Sequence, residues 1–231
     1  MTTMMDDLRV RQTPLSEWQP NLRLLTTSEY EQMIAAGIFN EDDRIELLEG
    51  VIVKMSPKGM RHATSTDRTA RYFIRLLSER VIVRNQNPIR LNDYSEPEPD
   101  LVLAALEEFE YANRHPQPED IYLVLEVADT TLAYDRNHKG LSYATAGIVQ
   151  YLILNVGDME IEDYREPSAD GYRRKQTYKR GQEFNLVTFP DIKVKVNDLL
   201  PPVQNTAPAV KSRRSVKAGK APRRGGKSSG E

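Results

Sequence analysis

The chain has 231 residues, 39% of them hydrophobic, with 32 basic against 34 acidic side chains and no cysteine. That is room for one good-sized domain with tails, and it excludes disulfide frameworks and thiolate metal sites. The formal net charge of −2 hides an asymmetry: from Gln204 onward there are eight bases and one acid, which leaves the preceding body at −9.

The start, Met1-Thr2-Thr3-Met4-Met5-Asp6-Asp7, lacks the basic and apolar regions of a secretion signal. No apolar run approaches the roughly 18 residues a bilayer span requires. These features predict a soluble cytoplasmic protein without membrane contact. Residues 1–20, polar with Pro14 and Pro20, read as a flexible N-terminal arm. Ser28-Glu29-Tyr30-Glu31 has the spacing of a capping box and predicts a helix through Met33, Ile34 and Ala35 that stops at Gly37.

Two short apolar runs flank Glu49-Gly50 in the stretch Arg44 to Met55 and read as a hairpin, ended by Pro57-Lys58-Gly59. His62 to Glu79 has helical periodicity, with Ala70, Phe73, Ile74 and Leu77 on one face. Strand signals follow at Val81–Val83 and Ile89–Leu91. Leu101–Ala104 and Ile121–Val127 are almost wholly apolar, as central strands covered on both faces are. A loop with His115, Pro116 and Pro118 separates them. A helix is expected from about Asp135 to Ala146, stopped by Gly147, and then a buried strand at Gln150–Leu154. The strand–helix–strand order predicts a crossover unit. From Met159 to Phe189 the pattern alternates, with turns at Asp170-Gly171 and Arg180-Gly181, which predicts an antiparallel meander. The domain should span residues 21–201, with 202–231 a disordered basic tail.

Three residues carry the chemistry. Asp100 follows Glu96-Pro97-Glu98-Pro99 at the start of an apolar run, Glu126 lies within Val124-Leu125-Glu126-Val127-Ala128, and Lys139 lies on the following helix. A carboxylate buried without a partner is costly, so Glu126 calls for a metal or a cation. Hydrolysis of a phosphodiester needs charge neutralisation and an activated water, both of which Mg²⁺ supplies when held by one or two carboxylates. A lysine then stabilises the transition-state charge. The peptide oxygen of Val127 is a further candidate ligand. Glu46 either faces solvent or joins the site, Glu49 reads as a turn residue, and His62 either contacts phosphate or is solvated. His115 and His138 show no metal-ligand spacing.

The chain resembles the Uma-two family of restriction endonucleases, within the PD-(D/E)xK nuclease superfamily. The matching stretches are Arg44 to Ile52 with Met55-Ser56-Pro57 and His62, Pro97 to Leu101, Leu125 to Leu132, and Tyr134-Asp135-Arg136 with Lys139, Tyr143-Ala144 and Ala146-Gly147-Ile148. The resemblance implies an α/β fold, a restriction-endonuclease-like mixed β-sheet flanked by helices. It implies cleavage of nucleic acid with Mg²⁺, for which Mn²⁺ can substitute. Asp100 matches the aspartate of the Pro-Asp element and Glu126 the second acid. The superfamily's lysine two residues on is here Ala128, and the resemblance points to Lys139 as a migrated replacement. Glu46 and His62 match the family's acidic and histidine positions. A DNA endonuclease acting as a homodimer is the leading expectation. An inactive nuclease fold that binds nucleic acid or regulates is the alternative, and action on RNA or branched DNA stays open.

Overall fold

A computed structural model describes residues 22–202; the predicted arm at 1–20 lies outside the described residues, as does all but the first residue of the predicted tail at 202–231. Helix α1 (Thr27–Ala35) opens the fold. Its capping box uses Thr26 and Glu29 rather than Ser28 and Glu31: the Thr26 hydroxyl accepts from the Glu29 amide at 3.2 Å, and Glu29 returns to the Thr26 amide at 3.0 Å. Both pairs have the spacing, but the Thr27 amide donates to Asp93 O, which sets where the helix begins. The helix ends as expected, with Gly37 at φ +71°.

Strands β1 (Ile45–Leu48) and β2 (Val51–Lys54) form the predicted hairpin, with Glu49 and Gly50 both at positive φ in its turn. Helix α2 (Met60–Leu77) follows. The main sheet contains β3 (Ile82–Asn85), β4 (Leu101–Ala104), β5 (Ile121–Ala128), β6 (Gln150–Asn155), β7 (Glu160–Ser168) and β8 (Gly171–Lys179), in that spatial order. All neighbours are antiparallel except β5 and β6, which are parallel. The parallel pair is the one joined by helix α3, built of Leu132–Tyr134, the π-helical turn Asp135–Lys139 and Gly140–Thr145. A chain running back to a parallel neighbour needs such a crossover. Strands β9 (Glu183–Asn185) and β10 (Lys193–Lys195) form a further two-stranded sheet, and a short helix α4 (Val196–Leu199) closes the fold.

The expected strand at Ile89–Leu91 is not formed. Ile89 and Leu91 are buried, but their amides bond to Pro97 O and Ser95 O in a compact loop rather than in a ladder. Their apolar character reflects burial, which periodicity over three residues cannot tell from a strand.

Alternation along the strands sends side chains to opposite faces of the sheet. Leu101, Leu103, Leu123, Leu125 and Val127 pack on the side of α2, with Phe73 and Leu77. Val102, Ala104, Val124, Ala128 and Ile153 pack with Tyr143 and Ile148 of the α3 side. From Leu101 to Ala104 in β4 and from Leu123 to Ala128 in β5, even-numbered positions therefore face α3, and Asp100 and Glu126 share that parity.

Helix α3 is anchored at its outer flank by a charged cluster. Arg136 bonds to both carboxylate oxygens of Glu162, which also takes Lys175 at 2.8 Å and the Tyr164 hydroxyl at 2.6 Å. Burial opposes the charge of Glu162, but the hydrogen bonds from Arg136, Lys175 and Tyr164 outweigh it and hold the carboxyl down at about 2. A carboxyl depressed in the fold takes up protons more readily when unfolded, so stability drains as pH falls from about 4.5 toward 2. Acid melting curves should show a shallower loss of Tm over that range for Glu162→Gln than for the wild type.

Candidate functional site

The sheet end carrying Asp100 and Glu126 opens into a cleft of about 480 Å³, walled by the β1–β2 hairpin, the Met55–Gly59 segment, the start of α2 and α3. Asp100 and Glu126 come together through register. Leu101 pairs with Leu125 in the antiparallel β4–β5 ladder, so the preceding and following residues lie opposite each other on the α3 face. The Asp100 amide reaches Glu126 Oε2 at 3.3 Å. Asp100 Oδ2 accepts the Val127 amide at 2.9 Å and lies 2.9 Å from His62 Nε2, while Oδ1 accepts from Gln86 at 3.0 Å. Within a strand, N–H and C=O of one residue point to the same edge, so the Val127 carbonyl is directed to the Asp100 side, beyond the last register partner in β4.

Lys139 is delivered by the π-helical turn. Asp135, Lys139 and Tyr143 follow at spacings of four on the face of α3 turned to the sheet, and all three are buried. The widened turn closes through the Gly140 amide to Asp135 O, which also accepts the Tyr151 hydroxyl at 3.1 Å. Such single π turns recur at functional sites. A Cβ at Gly140 would stand 3.2 Å from Asp135 O and 3.4 Å from the Tyr151 ring, so the absent side chain lets the helix lie this close.

Lys139 Nζ bridges Glu126 Oε1 at 3.0 Å and Glu46 Oε2 at 3.1 Å. The Tyr143 hydroxyl adds a bond to Glu126 Oε1 at 2.8 Å, and the Glu98 amide one to Glu46 Oε2 at 3.1 Å. Glu46, Glu126 and Lys139 are 2%, 4% and 6% exposed, so these are interior ionisable groups. Of the two sequence readings of Glu46, the solvent-facing one does not hold: the hairpin buries it against Lys139 in the wall of the cleft. Glu49 does more than turn the chain: its carboxylate accepts from Ser142 of α3 at 2.8 Å and pins the hairpin there.

The electrostatics follow from several acids sharing one buried ammonium. Burial works against the charge of Lys139, but Glu126, Glu46 and Asp135 outweigh it and raise its pKa above the ordinary value. Glu126 is pushed up to about 8, mainly by burial, with Lys139 opposing and Asp100, Asp135 and Glu46 adding repulsion. Asp135 is raised to about 6, again chiefly by burial. Asp100 goes the other way: burial opposes its ionisation, but His62, the Val127 amide and Gln86 hold it below the usual range.

Two strand-end carboxylates with an adjacent peptide carbonyl make an all-oxygen donor set, which suits Mg²⁺ or Mn²⁺ and excludes thiolate-seeking ions. An excess of buried acids over cations is also what a bound divalent ion would relieve. The residues therefore fit the implied metal.

Sequence reasoning did not single out Asp135, Glu98, Tyr134, Arg44 or Lys58, all of which line the cleft. Asp135 was detectable through its spacing of four from Lys139; Arg44, Glu98 and Tyr134 lie inside the stretches that carry the family resemblance, and Lys58 lies outside them. His115 corrects the reading made of it. Its Nε2 lies 3.8 Å from Glu96 Oε1, and with Glu31 the three ligand atoms gather within 4.8 Å, away from the cleft. Arg90 already pairs with both Glu31 and Glu96, so that group is an ion-pair network in which a cation is in place. The His138 ring lies tilted against that of Tyr134, with ring centres 5.3 Å apart.

A family model described as "Putative restriction endonuclease" matches residues 27–197. The chain belongs to the Uma2 family. The match runs from the first residue of α1 into α4, with both strand-end carboxylates inside it. Among solved structures, a "putative nuclease belonging to DUF820" from Anabaena variabilis ATCC 29413 superposes with a TM-score of 0.60 at 13% identity. The superposition covers 76% of this chain and 97% of that one. At that identity the likeness establishes the fold, a mixed sheet flanked by helices. No curated protein matches the chain. Among the described residues, no helix of this Uma2 protein is long and apolar enough to cross a membrane.

Proposed function

We propose that residues 21–201 form a metal-dependent endonuclease domain that hydrolyses phosphodiester bonds of DNA. The observation that carries this reading is the convergence of Asp100 and Glu126 across one register position, with the Lys139 ammonium 3.0 Å from Glu126. Asp100, Glu126 and the Val127 carbonyl would hold Mg²⁺, with Mn²⁺ able to substitute. When bound, the ion supplies charge neutralisation and a more acidic water. Lys139 keeps its proton and offsets charge that develops on the phosphate. Glu46 holds Lys139 from the hairpin side and leaves it aimed at the strand end. His62 orients Asp100 and keeps it ionised, and from the cleft wall it would meet an entering phosphate.

The ammonium that the superfamily carries two residues after the second acid would sit at Ala128, on the same face as Glu126. Here Ala128 is packed under α3 and Lys139 reaches the same carboxylate from the helix. The −9 body is a poor DNA surface by itself; the basic residues after Gln204 supply a compensating attraction. Cutting both strands of a duplex calls for two sites, which a homodimer supplies. Supercoiled plasmid incubated with the protein should be nicked in Mg²⁺ or Mn²⁺ and left intact in EDTA. A protein that neither cuts any nucleic acid nor melts at higher temperature in Mg²⁺ would return the fold to the role of a binding or regulatory module.

A further inference from the structure

Five buried side-chain polar atoms find no hydrogen-bond partner among the described residues, and two of them, Arg44 Nη2 and Tyr134 OH, belong to residues lining the same cleft. Both groups are donors. Leaving a buried donor unpaired costs roughly 1–3 kcal/mol, so two beside one cleft point to an acceptor that arrives from outside.

Lys58 lines the cleft as well. The ion pairs inside it join His62 to Asp100 and Lys139 to Glu46 and Glu126; among the described residues Arg44 and Lys58 take part in none. Arg44 is held in a left-handed backbone conformation at φ +44°, and its carbonyl accepts the Met55 amide at 2.8 Å. That bond ties Arg44 to the segment that carries Lys58. The two cations lie close enough to repel, and burial draws the Lys58 pKa down while Asp100, Glu98 and Glu126 pull it up. The lining thus has two chemical halves: carboxylate acceptors at the strand ends, and unpaired donors from the hairpin entry, the following loop and α3.

We infer that Arg44, Lys58 and Tyr134 form an anion clamp that grips a backbone phosphate of duplex DNA beside the strand-end carboxylates. The identity of the ligand rests on the nuclease reading; the donor half itself rests on the unpaired groups. A phosphodiester presents several acceptor oxygens to such a fork, and Arg and Lys are the side chains that meet it with charge.

The test is binding of end-labelled duplex DNA by fluorescence anisotropy across a salt series, with Ca²⁺ to neutralise the acidic half without relying on cleavage. Lys58→Met should weaken binding several-fold and make the slope of log affinity against log salt shallower by about 0.9, the signature of one lost phosphate contact. Lys58→Arg should keep the slope. Arg44→Met should behave like Lys58→Met, with its Tm measured because of the backbone conformation at that position. Tyr134→Phe should weaken binding at an unchanged slope without lowering Tm, since it removes a hydroxyl that has no partner among the described residues. If Lys58→Met and Arg44→Met both bind with wild-type affinity and slope, the clamp is wrong while the nuclease reading stands. A wild type that binds RNA but not duplex DNA overturns the ligand assignment, and one that binds no nucleic acid overturns both.

Discussion

Asp100→Asn and Glu126→Gln should each lower metal-dependent plasmid cleavage by roughly 10³-fold or more, equivalent to about 4 kcal/mol of transition-state stabilisation. Both replacements keep the shape of the side chain and remove the charge. At Asp100 an amide oxygen can still accept the Val127 N–H, so the strand end should hold. What is lost is the carboxylate that His62 and Gln86 keep ionised. At Glu126 the change removes a buried acid already pushed up to about 8, one of several that compete for Lys139. Its Tm without metal should therefore stay near that of the wild type, and the rise in Tm caused by Mg²⁺ should disappear. Nicking rates and thermal melts of the same preparations give both readouts. Cleavage that persists in both variants would put the active centre elsewhere.

Lys139→Met should have the largest effect on stability. The substitution fills the space but strands Glu46, Glu126 and Asp135 together in the interior, where removing one partner of a buried ion pair costs about 3–5 kcal/mol. Urea melts should register that loss at neutral pH and recover part of it under mildly acidic conditions, as the stranded carboxyls take up protons. Cleavage should fall at the same time by about 10²–10³-fold, the scale expected for losing one preorganised positive donor. Lys139→Arg separates the two effects. It keeps the positive charge near the acids and restores much of the stability, but a planar fork cannot reproduce the single ammonium that spans 3.0 and 3.1 Å to two carboxylates, so cleavage should remain low. A Lys139→Met protein as stable as the wild type would mean that the acids are neutralised by something other than this lysine.

The pieces of the fold that are local in origin could be read directly from the chain. The continuous apolar runs of β4 and β5 announce strands covered on both faces, because only burial on both sides removes the alternation. The Glu49-Gly50 turn and the stop at Gly147 follow from positions that need positive φ. The parallel β5–β6 pair follows from a helix placed between two buried strands. The misplaced cap on α1 and the missing strand at Ile89–Leu91 are cases where two local patterns were equally good and a distant contact chose between them. Asp93 O took the Thr27 amide, and Ser95 O and Pro97 O took the amides of Leu91 and Ile89.

For the cleft, the sequence by itself determined the residue types and one constraint of geometry. An acid inside an apolar strand must be compensated, and the period of two places Glu126 on the same face as Val124 and Ala128. Only the tertiary structure decided what meets it there. The β4–β5 register set Asp100 across from Glu126, a π-helical turn aimed Lys139 at both carboxylates, and a hairpin outside the main sheet brought Glu46 to the far side of the same ammonium. Arg44, Lys58 and Tyr134 join the cleft in the same way. Each of these meetings depends on how separate elements dock through burial and strand pairing, and such long-range contacts leave no period in the chain that encodes them.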